Sequence, residues 1–168
     1  MLGMLAKLLK ALNSESAPGQ IALAFALALI IGLTPLTSLH NLLILFLAFV
    51  IRVNLSAFFL GIAFFSSLAY LIDPISVSVG ESLLTSPDLQ DSLTALYQSD
   101  FWRATKFNHT LTLGGLLVAL ALFIPVLVLS RLLIIGYREK FMAWVEKLKV
   151  MKLLKASKFY KLYNALAD

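Results

Sequence analysis

The chain has 168 residues, of which 60% are apolar and 14% are charged, with a formal net charge of +5. A soluble domain is typically about 45–50% apolar and about 25% charged. The composition therefore excludes an ordinary soluble domain and indicates a membrane protein. The chain has no cysteine, which excludes disulfide bonds and thiolate sites.

Residues 1–13 carry Lys7 and Lys10 within an apolar pattern. This arrangement differs from a signal peptide, in which a basic region precedes an apolar stretch and a small-residue cleavage site. We predict a short amphipathic helix that lies at the membrane interface. A polar breaker ending in Pro18 and Gly19 separates it from the core membrane region, residues 18–72.

Two short apolar runs within this core region, residues 20–51, meet at Thr34 and Pro35. At about 1.5 Å per residue each helix covers roughly 20 Å, less than the roughly 30 Å of a hydrocarbon core. Two arrangements are open: both helices cross and the turn lies near the far headgroups, or the pair is a re-entrant hairpin. Irregular backbone is tolerated inside a membrane only where protein or a wet cavity surrounds it. The polar residues of the turn could satisfy that backbone, so we favour the re-entrant hairpin.

Two longer apolar runs are predicted to span the membrane, over residues 55–72 and 108–136. The first is expected to stop at Asp73-Pro74, beside solvent. Between the spans, residues 73–107 hold five acidic and two basic residues and carry Leu and Tyr at helical spacing. We predict short amphipathic helices there, at the outer interface. Single glycines and the pair Gly114-Gly115 fit close helix approach, with ordinary packing as the simpler interpretation.

The final segment, residues 137–168, is predicted to be a basic amphipathic helix. The positive-inside rule places both termini and Arg52 in the cytoplasm and the acidic segment, residues 73–107, outside. Anionic lipid headgroups are the expected contacts of Arg52, Lys149, Lys152 and Lys155. The predicted fold is thus all-α: a polytopic membrane helical bundle with a proline-broken helical hairpin, two long spans and amphipathic interfacial helices.

The candidate functional residues form a polar cluster around the hairpin. Ionisable groups at membrane depth are costly and are therefore candidates for function. His40 could relay a proton, or could cap the open backbone at Pro35 as a neutral hydrogen-bonding group, which is the commoner role. Asn54 fits an N-cap of the third helix. The full cluster comprises Thr34, Pro35, Thr37, Ser38, His40, Asn41, Arg52 and Asn54.

Enzyme signatures are absent from the sequence: it has no phosphate loop, no nucleophile elbow and no zinc-protease motif, and it contains two histidines in total. We therefore predict a protein that is not an enzyme and uses no metal or cofactor. Nucleic acid is not an expected partner, because the basic tail has no recognition motif beside it.

Three stretches carry a resemblance to a known family: residues 18–26, the turn Gly32-Leu33-Thr34-Pro35 with the polar residues after it, and Arg52-Val53-Asn54. The chain resembles the bacterial membrane family catalogued as domain of unknown function 2062, in its longer branch. The chain has Ala28 where that resemblance leads us to expect a glycine. The resemblance implies an integral protein of the bacterial inner membrane and implies no reaction.

Two functions follow as hypotheses. The first is a non-enzymatic membrane subunit that anchors or gates a larger envelope assembly, with a protein partner or further copies of the chain. The second is a small transport or lipid-handling protein whose site is the Pro35 hairpin, since broken helices that place polar groups near mid-membrane build many transporter sites.

Overall fold

The structure is a computed structural model and describes residues 17–141. The predicted helices over residues 1–13 and most of 137–168, with Lys149, Lys152 and Lys155, lie outside the described residues. Residues 17–141 fold into helices joined by short turns, with no strand among them, which confirms the all-α fold. The helices are α1 (Pro18–Gly32), α2 (Leu39–Val50), α3 (Leu55–Leu84), α4 (Gln90–Tyr97), α5 (Asp100–Ala104) and α6 (Thr110–Gly136).

Helix α1 is the core of the fold. It begins with Pro18 at its first position, where a missing N–H costs nothing, and Gln20 Oε1 accepts a hydrogen bond from Ala17 N at 3.3 Å. Its residues are apolar on every side, and those from Ala26 to Gly32 are all buried. Helices α3 and α6 both pack against it. A helix that is apolar all round is expected to be enclosed in this way.

Helix α2 runs antiparallel to α1 after the Thr34-Pro35 turn and lies at the edge of the bundle. Among its residues only Asn41 and Ala48 are buried. Leu42, Phe46 and Phe49 are each about 60% exposed. The structure has two short helices on either side of the Thr34-Pro35 turn, and the depth of this turn in a membrane stays a prediction.

Helix α3 begins where the sequence predicted. Asn54 is its N-cap, with Oδ1 accepting a hydrogen bond from Ala57 N at 2.8 Å. The predicted stop at Asp73-Pro74 is wrong, because the helix continues through Pro74 to Leu84. The reason is tertiary: Ser76 and Gly80, beyond the proline, are buried against the start of α6. This packing outweighs the one backbone hydrogen bond that Pro74 removes.

The acidic segment is shorter than predicted and contains the short helices expected of it. A 3-10 turn, Pro87–Leu89, leads into α4, and α5 follows. Arg103 pairs with Asp100 and lies over the ring of Tyr97, 5.9 Å from its centroid. Phe101 and Trp102 contact each other edge to face and are both exposed. Their placement at a membrane interface stays a prediction.

Two helices in the described part of the chain are long and apolar enough to cross a membrane: Leu55–Leu84 and Thr110–Glu139, which counts the π-turn that continues α6. In their most apolar 18-residue windows only 22% and 11% of residues are buried inside the protein. The core helix of a soluble protein would be mostly buried, so the apolar side chains of these two helices face outward.

Helices α3 and α6 cross at backbone contact distance. A Cβ added to Gly80 would overlap the carbonyl oxygen of Thr110, and one added to Gly114 would overlap that of Ser76. Glycine at these positions is therefore a requirement of the crossing. Inside a membrane the hydrophobic effect does not drive helices together, and close approach through small residues is a common basis of their association.

Candidate functional site

The polar turn, residues 34–41, joins α1 to α2 and is held by its own side chains. Thr34 Oγ1 lies 2.8 Å from the carbonyl oxygen of Ile30 and 3.1 Å from Asn41 Oδ1, so its one proton is shared between two acceptors. Asn41 Nδ2 donates to the carbonyl oxygen of Pro35 at 2.9 Å. Thr34 and Asn41 are both buried. The amide of Asn41 thus replaces the helical partners that the chain loses where it reverses.

Two glycines bring the polar turn into the bundle. Gly32 contacts Phe65 on α3, and a Cβ there would overlap the Phe65 Cβ. On α6, a Cβ at Gly115 would lie 2.5 Å from the carbonyl oxygen of Leu33 and 3.5 Å from Thr34 Cγ2. The end of α1 is therefore in contact with α3 on one side and with α6 on the other.

Three polar atoms at or near this turn are buried without a hydrogen-bond partner among the described residues: Ser38 Oγ, His40 Nε2 and Ser76 Oγ. Ser38 is 2% exposed and Ser76 is 0% exposed. Buried polar groups are rarely left unpaired, since each such atom costs about 1–3 kcal/mol. These three atoms make the polar turn and the neighbouring part of α3 the region with buried polar atoms that lack a partner among the described residues.

The structure divides the predicted polar cluster into two groups. Thr34, Pro35, Ser38, His40 and Asn41 lie together in or directly after the turn. Thr37 is in the turn as well but is exposed.

Arg52 and Asn54 lie at the other end of α2. A helix of 12 residues separates them from the turn by roughly 18 Å. Arg52 is exposed there. Asn54 is accounted for as the cap of α3, so its role in the fold is structural.

Sequence reasoning missed the residues that α3 contributes. The contacts Gly80–Thr110 and Ser76–Gly114 set an antiparallel register in which Asp73 lies level with Leu117 of α6. The sequence predicts that Asp73 ends its helix beside solvent. Its actual position on α3, beside an apolar stretch of α6, depends on the register of the two helices, which no local signal in the sequence encodes.

The chemistry available here is hydrogen bonding, proton binding and oxygen ligation. The groups present are hydroxyls, an amide, one imidazole and the Asp73 carboxylate. Within residues 17–141 no group of three or more His, Cys, Asp or Glu side chains is placed to hold a metal ion. Within the same residues the hydroxyl of Ser38 and Nε2 of His40 are buried and are not hydrogen-bonded to each other.

Comparison with known proteins agrees with the resemblance noted in the sequence. The family model described as "Uncharacterized protein conserved in bacteria (DUF2062)" matches residues 4–142. An uncharacterised protein of Treponema pallidum (strain Nichols) is 31% identical over 138 residues, which cover 82% of this chain and 85% of that protein. No solved structure matches the chain. The match over most of its length shows that the chain belongs to this bacterial family, domain of unknown function 2062.

Proposed function

We propose that this chain is a multi-pass protein of the bacterial inner membrane with both termini in the cytoplasm. It acts as a non-enzymatic membrane subunit of a larger envelope assembly. The observation that supports the membrane part of this proposal most directly is the outward apolar surface of α3 and α6. In their most apolar windows only 22% and 11% of the residues are buried. Water would disfavour a surface of that kind, whereas lipid or protein within a membrane would cover it.

A cysteine-accessibility experiment in intact cells tests the membrane placement. The chain has no cysteine, so single replacements at Ser38, Arg52, Ser92 and Ser157 report cleanly. An impermeant maleimide is expected to label Ser92→Cys from outside and to leave Arg52→Cys and Ser157→Cys unlabelled until the cells are opened. The reverse pattern would contradict the proposed orientation. No labelling at any of the four sites before opening, followed by equal labelling of all four afterwards, would contradict membrane insertion.

The subunit role rests on the face of α2 that its own bundle leaves uncovered. Within the turn the hydrogen bonds of Thr34 and Asn41 are made internally, and α2 leaves an apolar outer face that the described bundle does not cover. An uncovered face inside a membrane can be occupied by another membrane helix at no cost in exposure to water. A small bundle of this kind is suited to packing against other membrane proteins.

Purification in native membrane discs tests the subunit role. We expect the tagged 18.5 kDa chain to migrate with a mass well above that of one copy, together with another membrane protein in fixed proportion. Cells that carry two differently tagged copies provide the control, because they distinguish further copies of this chain from a different subunit. Recovery of a single chain alone, by a gentle method that keeps its lipids, would contradict the proposal.

A second candidate function is transport or lipid handling at the polar turn, favoured by the unpartnered atoms of Ser38, His40 and Ser76. Broken helices with polar groups inside a membrane build such sites in many transporters. The same labelling experiment separates the two. Rapid labelling of Ser38→Cys from outside would indicate an ordinary loop, whereas slow labelling through a cavity would favour the transport function.

A further inference from the structure

We propose that Asp73 is the anionic ligand of an intramembrane site for a small monovalent metal cation such as Na⁺. The site lies where α3 packs against α6. This inference rests on the proposed membrane placement of α3 and α6, and it goes beyond the subunit role.

The depth of Asp73 follows from the register of the two long helices. Gly80 contacts Thr110 at the start of α6, and Ser76 contacts Gly114. Asp73 is seven residues from Gly80, so it lies about 10 Å further along the bundle than the first residue of α6. The facing part of α6, residues 111–121, contains no charged residue. If α6 spans the membrane, the Asp73 carboxylate is therefore inside the hydrocarbon layer.

A carboxyl group at that depth is costly and is normally retained for a function. Asp73 is half-buried, and no hydrogen bond or ion pair of its carboxylate is found among residues 17–141. An ionised carboxylate without a partner is unfavourable in a medium of low polarity. A bound cation removes that cost.

Independent observations point to further ligands at the same place. Ser76 lies one helical turn beyond Asp73 on the same face of α3, and its hydroxyl is fully buried without a partner. Along α3, Asp73 lies between Phe65, which contacts Gly32 at the end of α1, and Ser76, which contacts α6. The polar turn that follows α1 therefore lies near the level of this stretch of α3, and it carries the second buried and unpartnered hydroxyl, that of Ser38.

The donor set selects the class of ligand. A carboxylate and serine hydroxyls are oxygen ligands, which suit hard cations. A single negative charge matches a single positive one. The other titratable groups on the neighbouring elements are Tyr70 and Glu81 on α3, His40 after the turn, His109 before α6 and Arg131 on α6. Glu81 is exposed, and no acidic residue of α1 or α2 is present to add a second negative charge.

Carbodiimide labelling of the full chain in lipid vesicles tests the proposal. Dicyclohexylcarbodiimide is apolar and reacts with a protonated carboxyl group rather than with a carboxylate. We expect it to modify Asp73 many times faster than the exposed carboxyls of Asp88 and Asp91, as measured by mass spectrometry of peptides. Added Na⁺ should slow the reaction at Asp73 by occupying its carboxylate, and should leave the reaction at Asp88 unchanged.

Matched variants make the test specific. Ser76→Ala is expected to weaken the slowing of the reaction by Na⁺, whereas Ser78→Ala, at an exposed hydroxyl bonded to the Pro74 carbonyl oxygen, should leave it unchanged. Labelling of Asp73 no faster than that of Asp88, or labelling that Na⁺ does not slow, would overturn the site. Because the cysteine-accessibility pattern is measured separately, failure of the cation site is distinguishable from failure of the membrane placement.

Discussion

Replacement of Gly114 by alanine is expected to destabilise the folded bundle by about 3 kcal/mol or more, the upper range for an overpacked interior. The added Cβ would overlap the carbonyl oxygen of Ser76, and it would lie 2.7 Å from the backbone nitrogen of Gly80. Both obstacles are backbone atoms of α3, so no side chain can rotate to make room. Thermal unfolding in detergent micelles, followed by circular dichroism, measures the effect.

Gly136→Ala is the matched control for this variant. It makes the same change near the other end of α6, where nothing lies within 4 Å of the added Cβ. Alanine in a helix is more favourable than glycine by roughly 0.5–1 kcal/mol, so this variant is expected to be equal to or more stable than the parent. Similar melting temperatures for the two variants would show that α3 and α6 do not cross at Gly114.

Replacement of Asn41 by leucine is expected to cost about 1–3 kcal/mol and to loosen the polar turn. The variant keeps most of the side-chain volume but removes the hydrogen bond to the Pro35 carbonyl oxygen and the acceptor for Thr34. The carbonyl of Pro35 then keeps one donor, the backbone N–H of Ser38 at 2.9 Å. The melting temperature should fall, and Ser38→Cys in the same background should react faster with a maleimide.

Ser67→Ala serves as the control for Asn41→Leu. Its hydroxyl donates to the Ala63 carbonyl oxygen at 2.9 Å, but it is exposed and the carbonyl retains its helical partner. A change of less than about 0.5 kcal/mol is expected, as for most surface substitutions. If Asn41→Leu were equally harmless, the hydrogen bonds of the turn would not be what holds α1 and α2 together.

Much of the helical framework could be predicted from hydrophobic runs and from breakers. The Thr34-Pro35 turn divides α1 from α2 because proline and its preceding residue resist helix. Asn54 marks the start of α3 because a short polar side chain there can accept from the first helical N–H groups. These signals are local, so they are readable in a single sequence.

The end of α3 could not be predicted in the same way. Pro74 beside Asp73 is a typical stop signal, and only the contact of Ser76 and Gly80 with α6 overrides it. The residues that make this contact are separated by about 35 positions along the chain. The position of Asp73 along the bundle depends on how α3 pairs with α6. The sequence alone therefore could not include Asp73 in the candidate site.

The enclosure of α1 has a consequence for how the molecule is made. Helix α1 is synthesised early, yet the surfaces that cover it are α3 and α6, and Gly115, which contacts Leu33, is translated about 80 residues later. At typical rates of 5–20 residues per second, α1 is made several seconds before α6 can pack against it. The apolar surface of α1 stays partly uncovered during that interval, and α1 acquires its final packing only after α6 has been made.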